Sequence, residues 1–276
     1  MSIAAVQPIT PDYTTIKTKQ NAAWSSGDYA VVGTTLQIVG ESLVEALDLR
    51  AGQKVLDVAA GNGNFTLAAA RQWADVVSTD YVAALLERGQ ERAAADRLDV
   101  TYRVADAENL PFDNAAFDVV GSTFGVIFTP DQDAAAAEML RVCKPGGKIG
   151  LANWTPDGFI GQLFKTIGQH VPPPAGVQSP ALWGTEDHLD GMFGPHAVYL
   201  NITRKTFTFR YRSPAHWLEI FRGYYGPVLK AFAALQPAQQ DALTTDLLAL
   251  IERFNVATDG TMAAPASYLE VVVTKR

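Results

Sequence analysis

The chain of 276 residues is poor in cysteine, in clustered basic residues and in long apolar runs. Its single cysteine, Cys143, excludes an intrachain disulfide, and we interpret it as a small helix residue. Lysine and arginine form no cluster and the formal net charge is −7, so we expect no nucleic-acid substrate. No apolar run reaches the roughly 20 residues of a membrane helix, so we expect no integral membrane association.

The sequence also shows no targeting signal and no metal-ligand spacing. The first twenty residues have no basic region followed by an apolar block, which predicts a soluble, cytoplasmic protein. The histidines are scattered without metal-ligand spacing, so no metal site is expected; they are His170, His188, His196 and His216.

Apolar segments alternate with helical patterns over residues 54–154, which is typical of a parallel α/β sheet. The strands are expected at 54–59, 75–79, 100–104, 117–122 and 147–153, with helices at 64–73, 82–96 and 133–142. Asp133 is predicted to cap the last of these helices. A further helical pattern at 34–47 is predicted to pack on the edge of the sheet.

The pattern changes after residue 154. It predicts a helix over 155–170, a proline- and glycine-rich loop over 171–188 and a long strand over 197–212. Helices are expected at 214–223, 226–235 and 238–254, before a last strand around Val271–Val273. The two late strands indicate an antiparallel hairpin appended to the sheet.

A glycine loop joins the first strand to its helix in "VLDVAAGNGNFT". It reads G-x-G-x-x-T from Gly61 to Thr66, so it lacks the third glycine of a dinucleotide fingerprint and is not a phosphate-binding P-loop. By itself the loop is as consistent with a tight turn as with a ligand site.

Polar residues follow the next three strands, at the sheet edge where open α/β folds bind ligands. Asp80 can accept both hydroxyls of a ribose or can cap a helix. Asp106 and its neighbours can read an exocyclic amine and a ring nitrogen, or form a polar turn. Ser122, Thr123 and Phe124 would face the same ligand, although Phe124 and Phe128 are equally suited to the core.

Together with "PFDNAAFDVV" and "EMLRVCKPGGKIGLANW", these strand ends resemble the class I S-adenosylmethionine-dependent methyltransferases, especially the small-molecule branch that includes quinone-biosynthesis enzymes. The resemblance covers Lys54 to Trp154. It implies an α/β, Rossmann-like, seven-stranded mixed sheet with an antiparallel last strand, helices on both faces and a helical substrate cap. Residues 1–50 would form an N-terminal lid region, 51–154 the cofactor-binding core, and 155–276 the cap helices and last two strands.

The resemblance also implies S-adenosylmethionine as cofactor and S-adenosylhomocysteine as product. Gly61 and Gly63 would border the methionine end, Asp80 would hold the ribose, and Asp106 with Ala107 would read the adenine. Ala59 stands where the family has its first loop glycine. The full expected set is Trp24, Ala59, Gly61, Gly63, Asn64, Asp80, Tyr81, Asp106, Ala107, Glu108, Ser122, Thr123 and Phe124.

Methyl transfer from a sulfonium needs alignment and exclusion of water more than a dedicated catalytic residue. We therefore expect an aromatic-lined site and a small, fairly apolar acceptor methylated at oxygen or carbon, with residues 20–29 folded over the cofactor as a lid. Aromatic residues outside the core suit such a site, although Trp217, Phe221 and Tyr224 also fit a packed helix face. If a general base exists, His188 is the candidate.

The segment after the fourth strand bears on which function the sequence favours. The segment after the fourth strand reads "STFG" and not the motif of amine-directed methyltransferases, which disfavours amine methylation of DNA. The alternatives are a nicotinamide-dependent, NAD(P)-using oxidoreductase and a non-catalytic S-adenosylmethionine-binding protein. Either a monomer or a homodimer is compatible with the composition.

Overall fold

A computed structural model describes residues 11–276 and contains one seven-stranded sheet with strand order β3-β2-β1-β4-β5-β7-β6. Its strands are β1 (Lys54–Val58), β2 (Asp75–Asp80), β3 (Thr101–Val104), β4 (Phe117–Thr123), β5 (Cys143–Trp154), β6 (Ala197–Tyr211) and β7 (Met262–Lys275). The first five strands pair in parallel, and β7 runs antiparallel to both β5 and β6. The predicted α/β Rossmann-like sheet with an antiparallel last strand is confirmed.

Helices cover both faces of this sheet. They are α1 (Tyr13–Trp24), α2 (Ala30–Gly33), α3 (Gln37–Ala46), α4 (Asn64–Arg71), α5 (Ala83–Ala95), α6 (Gln132–Val142), α7 (Phe159–His170), α8 (Glu186–Phe193), α9 (Pro214–Tyr224), α10 (Gly226–Ala234) and α11 (Pro237–Phe254). One apolar cluster joins α3 and α4 to one sheet face, and a larger one joins α6 and the later helices to the other. Within residues 11–276, no helix has the length and apolarity needed to cross a membrane.

Three local predictions prove wrong. The helical segment at 34–47 lies over the sheet face and not at its edge. Leu47, at its end, packs against β5 where Gly150 has no side chain; a Cβ on Gly150 would lie 2.6 Å from Leu47 Cδ1. Asp131, and not Asp133, caps α6 by accepting the Ala134 N–H at 3.0 Å. Cys143 is fully buried, but it begins β5 directly after α6 instead of lying within the helix.

The appended hairpin is confirmed, and it extends beyond the rest of the sheet. Pairing between β5 and β7 ends at Trp154 and Tyr268. Pairing between β6 and β7 continues for six more residue pairs, from Thr206 opposite Ser267 to Tyr211 opposite Met262. We call residues 206–211 and 262–267 the β6–β7 arm. Helices α9 and α11 pack on these two strands.

Candidate cofactor site

A pocket lies at the carboxyl ends of β1 to β4, the edge where open parallel sheets bind ligands. It encloses about 820 Å³, including the part open to solvent. Most of the predicted cofactor residues line it: Trp24, Ala59, Gly61, Asn64, Asp80, Tyr81, Asp106, Ala107, Glu108, Thr123 and Phe124. The structure therefore brings together residues that are as much as a hundred positions apart in the sequence.

The glycine loop between β1 and α4 bends through left-handed backbone conformations. Ala59, Gly61 and Gly63 have φ values of 51°, 56° and 84°. At Ala59 this conformation strains an L-amino acid by roughly 1–2 kcal/mol, which explains why glycine suits the position. Gly63 does not line the pocket, and it instead directs the chain into α4. The loop thus presents its backbone at Gly61 to the pocket.

Asp80 is the most buried carboxylate of the pocket wall, with 4 % of its surface exposed. Its Oδ2 accepts the Gly61 N–H and its Oδ1 accepts the Val82 N–H, both at 2.9 Å. Burial raises the pKa of Asp80 to about 6, although these backbone hydrogen bonds work to lower it. Because helix α5 has no side-chain cap, Asp80 is not its N-cap residue. Each oxygen keeps a lone pair that a ligand hydroxyl can use.

Asp57 was missed by the sequence reasoning, although an acidic residue within the apolar strand "KVLDV" is a signal. Its Oδ2 accepts the Thr66 N–H at 2.9 Å and the Thr66 hydroxyl at 2.6 Å. Thr66 also hydrogen-bonds to the Ser78 hydroxyl at 2.9 Å. Complete burial raises the pKa of Asp57 to about 7. This carboxylate fixes the start of α4 beneath the glycine loop.

The turn after β3 brings two carboxylates to the pocket. Asp106 Oδ1 accepts the Glu108 N–H at 3.0 Å, which closes a local turn, while Glu108 Oε1 accepts the Asp131 N–H at 2.9 Å. The ammonium group of Lys17, from α1, hydrogen-bonds to Asp106 Oδ2 at 2.7 Å and also pairs with Glu108. Sequence reasoning missed Lys17, because 89 positions separate it from Asp106.

Aromatic side chains also line the pocket. They are Trp24, Tyr29, Phe124 and Phe128, and the Trp24 ring meets Tyr29 and Phe128 edge-on at 5.6 and 5.0 Å between centroids. Phe124 has a left-handed φ of 61° and stacks on Trp154 at 3.9 Å, which holds it in place. Burial raises the pKa of Tyr29 far above its ordinary value, so its hydroxyl is neutral.

Two other predicted residues lie outside the pocket. Ser122 is buried, and its hydroxyl accepts the Val126 N–H at 3.1 Å. His188 has its Nε2 2.8 Å from Gln132 Oε1 and does not line the pocket, and neither do the other three histidines. Trp217 and Phe221 are buried and stack at 4.0 Å in the cap, as the packed-face alternative predicts.

Sequence comparisons identify the family of this chain. Residues 55–147 match a family model described as a methyltransferase domain. An uncharacterised protein of Mycobacterium tuberculosis is 40% identical over 232 residues, covering 83% of this chain and 85% of the relative. The demethylmenaquinone methyltransferase of Deinococcus radiodurans is 34% identical over 129 residues, covering 45% of this chain and 54% of that enzyme. The chain belongs to the class I S-adenosylmethionine-dependent methyltransferases.

Solved structures of low sequence identity share the fold of this methyltransferase. The Bacillus subtilis YcgJ protein superimposes with a TM-score of 0.60 at 16% identity, covering 86% of this chain and 98% of that one. Phosphoethanolamine N-methyltransferase 2 of Haemonchus contortus, solved in complex with S-adenosyl-L-methionine, gives a TM-score of 0.54 at 18% identity, covering 86% of this chain and 52% of that one. Family membership argues against the oxidoreductase alternative.

Proposed function

We propose that this protein transfers the methyl group of S-adenosylmethionine to an oxygen or carbon atom of a small, fairly apolar molecule. One observation carries the choice of acceptor. Beside the charged side chains that follow β2 and β3, four aromatic side chains line the pocket: Trp24, Tyr29, Phe124 and Phe128. An aromatic lining favours an apolar acceptor and exclusion of water over recognition of a charged one.

The pocket fits the cofactor by the chemistry of its polar groups. Asp80 retains the capacity to accept ribose hydroxyls, and Asp106 with Ala107 is suited to the adenine. The side-chain Nδ2 of Asn62 is buried, has no protein partner and belongs to a residue that lines the pocket. An unpaired buried donor is costly unless a ligand accepts from it, so Asn62 is suited to a polar group of the cofactor.

The bound cofactor would supply an electrophilic methyl group, and the residues of this chain would orient the acceptor and exclude water. Trp24, Tyr29 and Phe128 form the wall against which a flat apolar acceptor can lie. Of the described residues that line the pocket, none is a histidine, and its three carboxylates already accept backbone N–H groups or pair with Lys17, so we propose that the acceptor ionises without a protein base. The acceptor is then a group acidic enough to lose its proton to water, such as a phenol, a quinol or an activated carbon.

The relatives support this acceptor class. Demethylmenaquinone methyltransferases of Deinococcus radiodurans and Paenarthrobacter aurescens are 34% and 39% identical to 45% and 41% of this chain. Both enzymes are named for the methylation of demethylmenaquinone. Within the predicted lid region 1–50, of which the structure describes 11–50, we propose that residues 13–29 act as the lid, because they contribute Lys17, Gln20, Trp24 and Tyr29 to the pocket, whereas α3 packs on the sheet. Residues 51–154 would form the cofactor-binding core, and 155–276 remain the proposed acceptor side although none of them lines this pocket.

Calorimetric titration with S-adenosylhomocysteine, with NAD⁺ in parallel, tests the cofactor first. Binding of S-adenosylhomocysteine at micromolar concentration without NAD⁺ binding is expected. Transfer of a radiolabelled methyl group is then measured with phenols and quinols of graded apolarity, and with phosphoethanolamine as a polar amine control. Transfer to the amine alone would contradict the proposed acceptor. Binding without transfer to any acceptor would favour a non-catalytic cofactor-binding protein.

A further inference from the structure

Helix α1 lies across three of the loops that form the cofactor pocket. Lys17 hydrogen-bonds to the turn after β3, and Asn21 Nδ2 donates to the Tyr81 carbonyl after β2 at 2.8 Å. Gln20 Nε2 donates to the Phe128 carbonyl after β4 at 3.0 Å. This helix lies outside residues 55–147, so the match to the methyltransferase domain gives it no role.

Apolar packing holds α1 mainly at its C-terminal end, where Trp24 meets Tyr225 edge-on at 5.7 Å and the helix contacts α10. Ile16 is its one buried residue, and Trp24 at its end is partly buried against the main core. Thr14, Thr15, Thr18 and Lys19 are exposed on its outer side. The polar contacts to the three loops therefore carry much of the attachment of the rest of the helix, and a helix attached in this way can lift from the pocket without disturbing the sheet.

Lys17 makes the strongest of these contacts. Its ammonium group pairs with Asp106 at 2.7 Å and with Glu108, whose side chain is only 6 % exposed. Burial works to lower the pKa of Lys17, but hydrogen bonds to the two carboxylates outweigh it, and the raised pKa keeps the group charged. Of the described residues that line the pocket, Lys17 is the one cationic side chain. It therefore joins the helix to the turn that faces the adenine in the proposed binding mode.

We propose that Lys17 holds α1 closed over the bound cofactor and so sets how long the cofactor stays bound. This inference rests on the proposed function, because it takes S-adenosylmethionine and its product as the ligands. The cofactor leaves when α1 lifts, and α1 lifts only when the two ion pairs of Lys17 break. Removal of the charge then accelerates dissociation more than it changes association.

Surface plasmon resonance with the immobilised full chain and S-adenosylhomocysteine measures both rate constants. Lys17→Met is expected to release the ligand at least tenfold faster and to weaken binding by a similar factor. Lys17→Arg is expected to stay near the wild-type rate, because it keeps the charge. Lys19→Met is the matched control, since Lys19 lies on the same helix, is exposed and does not line the pocket.

A salt series and a double variant distinguish control of ligand release by the Lys17 ion pairs from a merely structural role of Lys17. Added sodium chloride is expected to accelerate release from the wild type and to have less effect on Lys17→Met, because salt screens the ion pairs. Lys17→Met leaves Glu108 buried without its cation, so Lys17→Met/Glu108→Gln removes both charges. This double variant is expected to fold and to release the ligand as fast as Lys17→Met.

Three results would each overturn the inference. Lys17→Met could release the ligand at the wild-type rate, Lys19→Met could release it as fast as Lys17→Met, or Lys17→Arg could release it as fast as Lys17→Met. In these cases the proposed function would stand, because the wild type still binds the ligand. A wild-type protein that binds no S-adenosylhomocysteine would overturn both the inference and the proposed function.

Discussion

Replacement of Asp80 by asparagine tests the proposed ribose contact most directly. The side chain keeps its size but has one oxygen where the carboxylate has two, and its new amide group faces a backbone N–H of Gly61 or Val82. At least one charge-assisted hydrogen bond to the ribose is lost, and such bonds contribute about 1.5–3 kcal/mol each. We expect Asp80→Asn to bind S-adenosylhomocysteine about ten- to a hundredfold more weakly, because about 1.4 kcal/mol corresponds to a factor of ten.

Calorimetric titration at pH 7.5 measures this loss, and a pH series adds a second readout. The pKa of Asp80 is about 6, so affinity of the wild type is expected to fall as the pH drops below 6 and the carboxylate becomes protonated. Asp80→Asn should lack this dependence. Asp75→Asn is the matched control, because Asp75 is exposed at the other end of the same strand. Binding by Asp80→Asn within twofold of the wild type, or equal weakening in Asp75→Asn, would refute the ribose assignment.

Two further predictions concern stability. A Cβ at Gly125 would lie 1.9 Å from the Ala59 carbonyl oxygen, so Gly125→Ala is expected to lower the free energy of unfolding, measured in urea, by about 3 kcal/mol. Gly168 lies in α7 with open space around it, so Gly168→Ala is expected to raise this free energy by up to about 1 kcal/mol. An equal effect at both sites would contradict this prediction. Asp57 and Asp80 have folded-state pKa values of about 7 and 6, above their ordinary value of 3.8, so the folded protein binds protons that the unfolded chain does not. The free energy of unfolding without ligand should therefore rise as the pH falls from 8 to 6, and a rise of the same size in Asp57→Asn would contradict the role of Asp57.

Sequence periodicity predicted the sheet because parallel strands are short apolar runs with clear boundaries. It also located the pocket, since Asp80 and Asp106 follow strands whose carboxyl ends share one edge. Contacts between residues far apart in the sequence could not be predicted from periodicity. The position of α3 depends on Leu47 meeting Gly150, and the position of Lys17 depends on how α1 crosses the sheet edge. His188 contacts Gln132, which no local pattern indicates.

The β6–β7 arm restricts the motion of the helices that pack on it. Its strands continue from the sheet without interruption, so these helices cannot separate from the sheet without bending or unpairing residues 206–211 and 262–267. Amide hydrogens that pair across these two segments are therefore expected to exchange with solvent more slowly than those of α1, which exchange through local opening. Under the proposed role of α1, ligands enter when this one helix detaches, and a crosslink between α1 and the sheet is expected to slow turnover without any change in the helices on the arm.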